Sequence, residues 1–357
     1  MKKILLPFII FPFLFLFLSF NSFALEKTSG RIKLDLHEQT GRFSLSYLED
    51  VSAGTYVPLL FAKDPETTTL YISLDNKIYS MGDSTFFDQR VLKENNDTVS
   101  YIWESSQIVI TESFSLIKSA KSALTDGIKI TVTVKNVSEI TKKVGLSYLL
   151  DTYLGEKSKI HFKTDSNTVI NSETYYSSDF PSYFVSPYNS SAFGGLEVML
   201  KGPGITPPEK VIFANWKRLK DNIGNYNIQN SRNFNLLPYS INDSAAALYY
   251  DQRSVAPGNQ FKIVIALGAF TGSYFQGNTE EESTSEINKL YVQTVETPDD
   301  TTNVEASLKT DLIAADDLIT KIDEKLNYPE QVTAEEINLI QQIIDNLKQR
   351  KKLYEKR

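Results

Sequence analysis

The sequence predicts a mainly β protein: a large antiparallel β-sandwich followed by a C-terminal α-helical hairpin. Three observations carry this expectation. Ile128-Lys129-Ile130-Thr131-Val132-Thr133-Val134 alternates apolar and polar residues, which sets one face on a core and the other in water. Comparable β-branched runs, Ile108-Val109-Ile110-Thr111 and Phe261-Lys262-Ile263-Val264-Ile265-Ala266-Leu267, recur between turn signals such as Asp126-Gly127, Glu94-Asn95-Asn96-Asp97 and Pro257-Gly258-Asn259. The apolar period then changes near the C-terminus, where Leu308, Leu312, Ala315, Ile319, Ile322 and Leu326 are spaced 4-3-4-3-4, the pattern of a coiled-coil seam.

Taken in order, the chain opens on Lys2-Lys3, an apolar run from Ile4 to Phe20, and Ser22-Phe23-Ala24. Those are the basic, apolar and small-residue parts of a secretory signal. Residues 1–24 are thus expected to be a signal peptide cut after Ala24, giving a periplasmic or secreted protein with no transmembrane segment after cleavage. Residues 25–275 hold the strand patterns, as one large sandwich or two small ones. Residues 276–304 read as a polar linker, with Glu286 to Glu296 forming one short helix or strand. Residues 305–357 hold the two helices of an antiparallel hairpin. Pro329 breaks the chain between them, and Thr333-Ala334-Glu335-Glu336 is a capping box in which hydroxyl and carboxylate satisfy free N–H groups of the first turn. Ile337, Ile340, Ile344 and Leu347 form the second apolar stripe.

Composition excludes several classes of function. The 357 residues carry 44 acidic against 37 basic side chains, a net charge of −7. Such a chain repels phosphate backbones, so no nucleic-acid partner is expected. There is no cysteine, so stability rests on an ordinary core, which a chain of this length can bury. No H-x-H, HExxH or Asp-rich calcium loop occurs. Neither a Gly-rich phosphate loop after a strand nor a G-x-S-x-G elbow is present. Accordingly, no metal and no cofactor are expected.

Three segments go beyond pattern. Gly145-Leu146-Ser147-Tyr148-Leu149-Leu150-Asp151-Thr152-Tyr153-Leu154-Gly155 resembles the LLDT-x-LG stretch of a family of bacterial exported β-sandwich proteins. Pro207 to Trp216 is similar to that family's ANW segment, and Asp243 to Tyr250, followed by Ala256-Pro257-Gly258, to its DSA-x-ALY strand pair. The resemblance spans roughly Gly41 to Phe270. It implies a large sandwich analogous to galactose-mutarotase-like domains and no particular reaction, since fold does not fix function. Two departures stand out. Ser147 occupies the family's arginine position, and Glu156-Lys157-Ser158-Lys159 replaces its Asn-Asp-Gly turn.

The residues singled out as ligand-binding candidates are Asp151, His161, Glu173, Tyr176, Tyr183 and Trp216. Asp151 stands at a strand end, where a carboxylate serves either a sugar hydroxyl or a turn cap. His161 is one of only two histidines, and Glu156, His161, Asp165 and Glu173 lie close enough in sequence to gather. Mutarotase-like chemistry needs a carboxylate base and an acid in one pocket. The aromatics between Tyr175 and Tyr188 either stack on sugar faces, anchor an interface, or pin a long loop. No catalytic residue is assigned. The expectation is a non-enzymatic structural or interaction protein of the cell envelope. It would dock on an envelope or periplasmic protein through Leu312, Ile319, Ile340 and Leu347. The alternative is a carbohydrate-binding or sugar-processing, mutarotase-like sandwich.

Overall fold

The computed structural model describes residues 24–275, apart from 63–66, 83–84, 96–97, 120–121, 123, 203 and 273, together with 334–355 and part of 308–326. The expected signal peptide up to residue 23, the expected linker 276–304 and the expected capping box at Thr333 lie outside the described residues. The chain divides into two compact units, Met1–Gln276 and Gly277–Arg357.

The first unit is built from antiparallel strands. β1 (Ala24–Ser29), β2 (Ile32–His37), β3 (Phe43–Asp50) and β4 (Thr55–Pro58) form a four-stranded sheet in that order. Next come β5 (Thr69–Leu74), β6 (Lys77–Ser80), β7 (Gln89–Asn95), β8 (Thr98–Glu104), β9 (Ile108–Ile117), β10 (Gly127–Asn136) and β11 (Lys142–Asp151). After a short helix α1 (Leu154–Ser158) run β12 (Phe162–Thr164), β13 (Val169–Ile170), β14 (Thr174–Tyr176), β15 (Tyr183–Pro187), β16 (Gly195–Met199) and β17 (Lys210–Asn215). Helix α2 (Trp216–Asp221) then precedes β18 (Ser244–Val255) and β19 (Gln260–Ala269). Nine strands make one sheet, ordered β13-β12-β15-β16-β19-β10-β9-β8-β7, and six make the other, β14-β17-β18-β11-β5-β6.

One continuous core joins the sheets, so this is a single large sandwich. Ile128, Ile130, Val132 and Val134 of β10 meet Ile263, Ile265 and Leu267 of β19. Val144, Leu146, Tyr148 and Leu150 of β11 and Ala246, Leu248 and Tyr250 of β18 belong to the same cluster. The alternation expected of β10 is realised: the even-numbered residues Ile128 to Val134 are fully buried. Each such side chain contributes roughly 1.5–3 kcal/mol.

One inward position breaks the apolar pattern. The core row of β9 reads Ile108, Ile110, Glu112, Phe114. Glu112 is 1% exposed, and burial pushes its carboxyl up to about 8, so it sits protonated in the core at neutral pH. The Tyr148 hydroxyl of the facing sheet donates to its Oε1 at 2.5 Å.

β18 is buried on both faces. Ala246, Leu248 and Tyr250 face the main core, while Ala245, Ala247 and Tyr249 form a second cluster with Leu219 and Ile223. The covering layer is α2, whose N-cap Asn215 accepts from the Arg218 amide at 3.2 Å, as Asn at this position favours.

The second unit corrects the expected hairpin seam. Leu312 and Ile319 are 63% and 58% exposed, whereas Ala314 and Leu318 are buried, Leu318 packing with Ile343 and flanked by Ile322, Ile340, Ile344 and Leu347. Ile340 and Leu347 are therefore partly spent inside the hairpin. The reason is polar: Asp311 accepts from Arg350 Nη1 and the Tyr354 hydroxyl, both at 2.7 Å. That tie rotates the earlier helical stretch so that 311, 314 and 318 face inward. Pairing an early residue with late ones also makes the arrangement antiparallel. Among the described residues, no helix is long and apolar enough to cross a membrane.

Candidate functional site

The chemistry gathers at one end of the six-stranded sheet. β11 ends at Asp151, β17 ends at Asn215, and β18 begins at Ser244 between them, with Asp151 opposite Ala245 and Asn215 opposite Ser244. Strand register alone thus places Asp151 beside Asp243, the residue before β18. Helix α1 follows at once and turns Glu156 back over the same end, where its Oε1 accepts from the Ser244 amide at 2.9 Å. The positive φ of Lys159, +62°, closes the helix in a left-handed cap.

Three carboxyls therefore converge. Asp151 is 5% exposed. Its Oδ2 accepts from the Thr67 hydroxyl at 2.5 Å, and its amide donates to Thr68 Oγ1 at 3.1 Å. Burial, and then the charge of Asp243, push Asp151 up to about 7. Glu156 is raised to about 8 by burial, with the charges of Asp243 and Asp151 adding to it. Asp243 is raised by burial as well, offset by hydrogen bonds from Ser240 and Asn215. At neutral pH such a group holds protons that exposed carboxylates have lost.

Aromatic surface adjoins the cluster. Tyr153, two residues past Asp151, packs edge-on against Phe61 at 6.2 Å, and the Phe61 amide donates to the Asp151 carbonyl at 3.0 Å. The loop that delivers Asp243 exposes Leu237, Tyr239 and Ile241 at 72%, 74% and 69%. It is held by reciprocal backbone bonds between Leu236 and Ser240, both at 2.9 Å.

The other candidates are placed as follows. His161 is buried 4.5 Å edge-on to Phe234, and desolvation lowers its pKa to about 4, so the ring is neutral. Its Nδ1 has no hydrogen-bond partner. The Phe234 carbonyl accepts from Asn215 at 2.8 Å, which sets His161 one ring behind the cluster. Glu173 is elsewhere and fully committed. It is 0% exposed and accepts from Arg218, Arg232, the Tyr226 hydroxyl and the Gln229 amide, so its pKa is lowered despite burial. Asp165 also stays apart, accepting from the Ser182 amide at 2.7 Å. Tyr176 packs on Phe213 and Tyr183 on Phe270. Trp216 opens α2 with Lys220 over its ring at 5.0 Å. Of the four expected to gather, Glu156, His161, Asp165 and Glu173, it is Glu156 that enters the cluster, where it meets the separate candidate Asp151 and Asp243. The partnership of Asp243 was not legible, because an Asp-Ser before a strand is an ordinary turn signal.

No family model matches the chain, and no curated protein does. Solved structures do. A galactose mutarotase related enzyme of Lactobacillus acidophilus is 7% identical with a TM-score of 0.39, covering 70% of this chain and 98% of its own. A galactose mutarotase-like protein of Lactobacillus casei is 9% identical with a TM-score of 0.36, over 69% and 99%. A candidate aldose 1-epimerase of Escherichia coli K12 is 11% identical with a TM-score of 0.35, over 69% and 98%. At these identities and TM-scores the three are similar in outline to this chain and assign it no family or activity. The expectation of a non-enzymatic docking protein is corrected here. The sheet end gathers buried carboxyls whose protons burial retains toward neutral pH, as proton transfer requires.

Proposed function

We propose that this sandwich is a sugar-processing protein that binds an aldose at the end of the six-stranded sheet and interconverts its anomers by proton transfer. One observation carries the reading. Burial raises Asp151 to about 7 and Glu156, which also feels the charge of Asp151, to about 8, so between those values the pair holds one proton between two carboxyls.

Anomer exchange needs that state. One carboxylate removes the proton of the anomeric hydroxyl while the other carboxyl protonates the ring oxygen. The ring C–O bond breaks, C1 turns about its bond to C2, and the two groups reverse roles as the ring closes. Exposed Tyr239, on the loop leading into Asp243, offers an apolar face for the sugar ring. Thr67 orients Asp151, and the Ser244 amide orients Glu156.

Polarimetry of fresh α-glucose and α-galactose tests this. Asp151→Asn and Glu156→Gln should each lower the catalysed rate by about 10²–10⁴-fold. The wild-type rate should be bell-shaped in pH, with limbs near those two values: both groups are protonated on the acid side and both ionised on the alkaline side. A saturable rate indifferent to both variants, or no catalysed rate with any simple aldose, sinks the reading.

The Lys2-Lys3, apolar and Ser22-Phe23-Ala24 series supports export of the same protein with a cut after Ala24. Mass spectrometry of the native protein should then find Leu25 as its first residue, and an intact Met1 would refute the cut.

A further inference from the structure

A cavity lies on the outer face of the six-stranded sheet, lined by none of the three carboxyls. Four strands supply one aligned row across it. Tyr71 of β5 is opposite Ser147 of β11, Ser147 is opposite Tyr249 of β18, and Tyr249 is opposite Lys210 of β17. The next position along is as small, with Ser73 opposite Gly145. Two large rings thus flank serine and glycine, and the missing side-chain volume is a cavity of about 360 Å³, within the range of small-molecule sites.

The surroundings hold this space open. β18 bulges opposite Gly145, the register jumping between Val144 and Leu146, and a bulge re-aims the strand's side chains. Gln252 consequently reaches across to donate to Ser73 Oγ at 2.5 Å. A Cβ on Gly145 would come to 3.0 Å from the Tyr250 carbonyl, so a side chain there would crowd the bulge. On the opposite wall Gly224 sits directly on Ile78, which a Cβ would strike at 2.0 Å.

One polar atom is left over. Tyr249 is 7% exposed, and its hydroxyl has no hydrogen-bond partner in the protein, a costly condition for a buried polar group. Lys210 Nζ rests over its ring at 4.4 Å, leaving the hydroxyl for something else. Around it stand tyrosine rings, serine hydroxyls, the amides of Asn76 and Gln252, and one charge of each sign, Lys210 and Asp251, which together leave the lining without net charge. Such groups bond neutral hydroxyls and cover an apolar ring face.

From this we infer that the cavity bounded by Tyr71, Ser147 and Tyr249 is a second binding site, for a neutral hydroxyl-rich ring such as a pyranoside. It is independent of the carboxyl cluster. Saturation-transfer NMR and calorimetry on the full chain test it with methyl β-glucopyranoside, methyl β-galactopyranoside and myo-inositol, none of which has a free anomeric hydroxyl to exchange. At least one should bind saturably. Ser147→Leu, which fills the space, and Tyr249→Phe, which removes the hydroxyl, should each weaken it by about ten-fold or more, while Asp151→Asn leaves it unchanged. Tyr249→Phe should also hold or raise the melting temperature of the ligand-free protein, which a purely structural hydroxyl would not allow. The inference is overturned if no probe binds saturably, if binding ignores both cavity variants, or if it is lost in Asp151→Asn and kept in Ser147→Leu.

Discussion

The melting temperature of the full chain should fall as the pH rises from about 4.5 to about 8.5. Four carboxyls set the slope. Glu112, Glu156 and Glu197 are raised to about 8 and Asp151 to about 7, burial being the first cause in each. In the unfolded chain they titrate near 4. Below that, both states hold the protons and the stabilisation of the neutral forms is fully present. Between about 4 and about 8 the unfolded chain releases protons that the fold retains, so unfolding becomes easier with each step in pH. Above about 8 that contribution is gone. Glu173 works the other way: its pKa is lowered, so its contribution is present at neutral pH and is lost only as the solution becomes acid. The two windows barely overlap, and stability should peak at about pH 4.5.

Glu112 isolates the effect because it is 1% exposed and burial, with no neighbouring charge, raises it. Keeping a charge there costs on the order of 3–5 kcal/mol. Glu112→Gln preserves the acceptor for Tyr148 and cannot ionise. Calorimetric scans at acid, neutral and alkaline pH should show the variant overtaking wild type on the alkaline side. A melting temperature that is flat or rises across that interval contradicts the burial argument.

Removing the Glu173 side chain should cost about 3–5 kcal/mol, the largest single-residue loss expected here. Its two oxygens gather Arg218 from α2, Arg232 and Tyr226 from the following loop, and the Gln229 amide. With Glu173→Ala the Arg218 and Arg232 side chains, 14% and 29% exposed, keep their charge in a partly dry setting without the anion. The covering layer over Ala245, Ala247 and Tyr249 should loosen with it, since Ile223 and Tyr226 belong to that layer. Glu173→Gln retains shape and one acceptor and should cost less. Urea melts give the energy, and amide exchange across 222–235 locates the loosening. A change below about 0.5 kcal/mol, the size of an ordinary surface substitution, would show that the arginines find water as good a partner.

The alternation of β10 and the turn at Pro257-Gly258-Asn259 could be read directly, because a pleated strand with one dry face writes its period into the chain. Asp151 at a strand end was legible for the same reason. Its partnership with Asp243 and Glu156 was not. Asp151 and Asp243 are neighbours only because β11 and β18 pair in one register, a contact across about 90 residues that no local period records. Glu112 looked like any polar residue in a strand, and only the facing sheet, with Tyr148 opposite, makes it a buried acid. In the hairpin, Leu312 and Ile319 satisfy a heptad as well as Ala314 and Leu318 do. Hydrophobic spacing alone leaves two faces one residue apart, and the pairing of Asp311 with Arg350 and Tyr354 chooses between them. By itself, then, the sequence determined the class of fold, the strand faces and the acidic, cysteine-free character. Which carboxyls share a field, which tyrosines frame a cavity and which leucines meet were decided by tertiary structure, because charge coupling and burial depend on distances that chain order does not set.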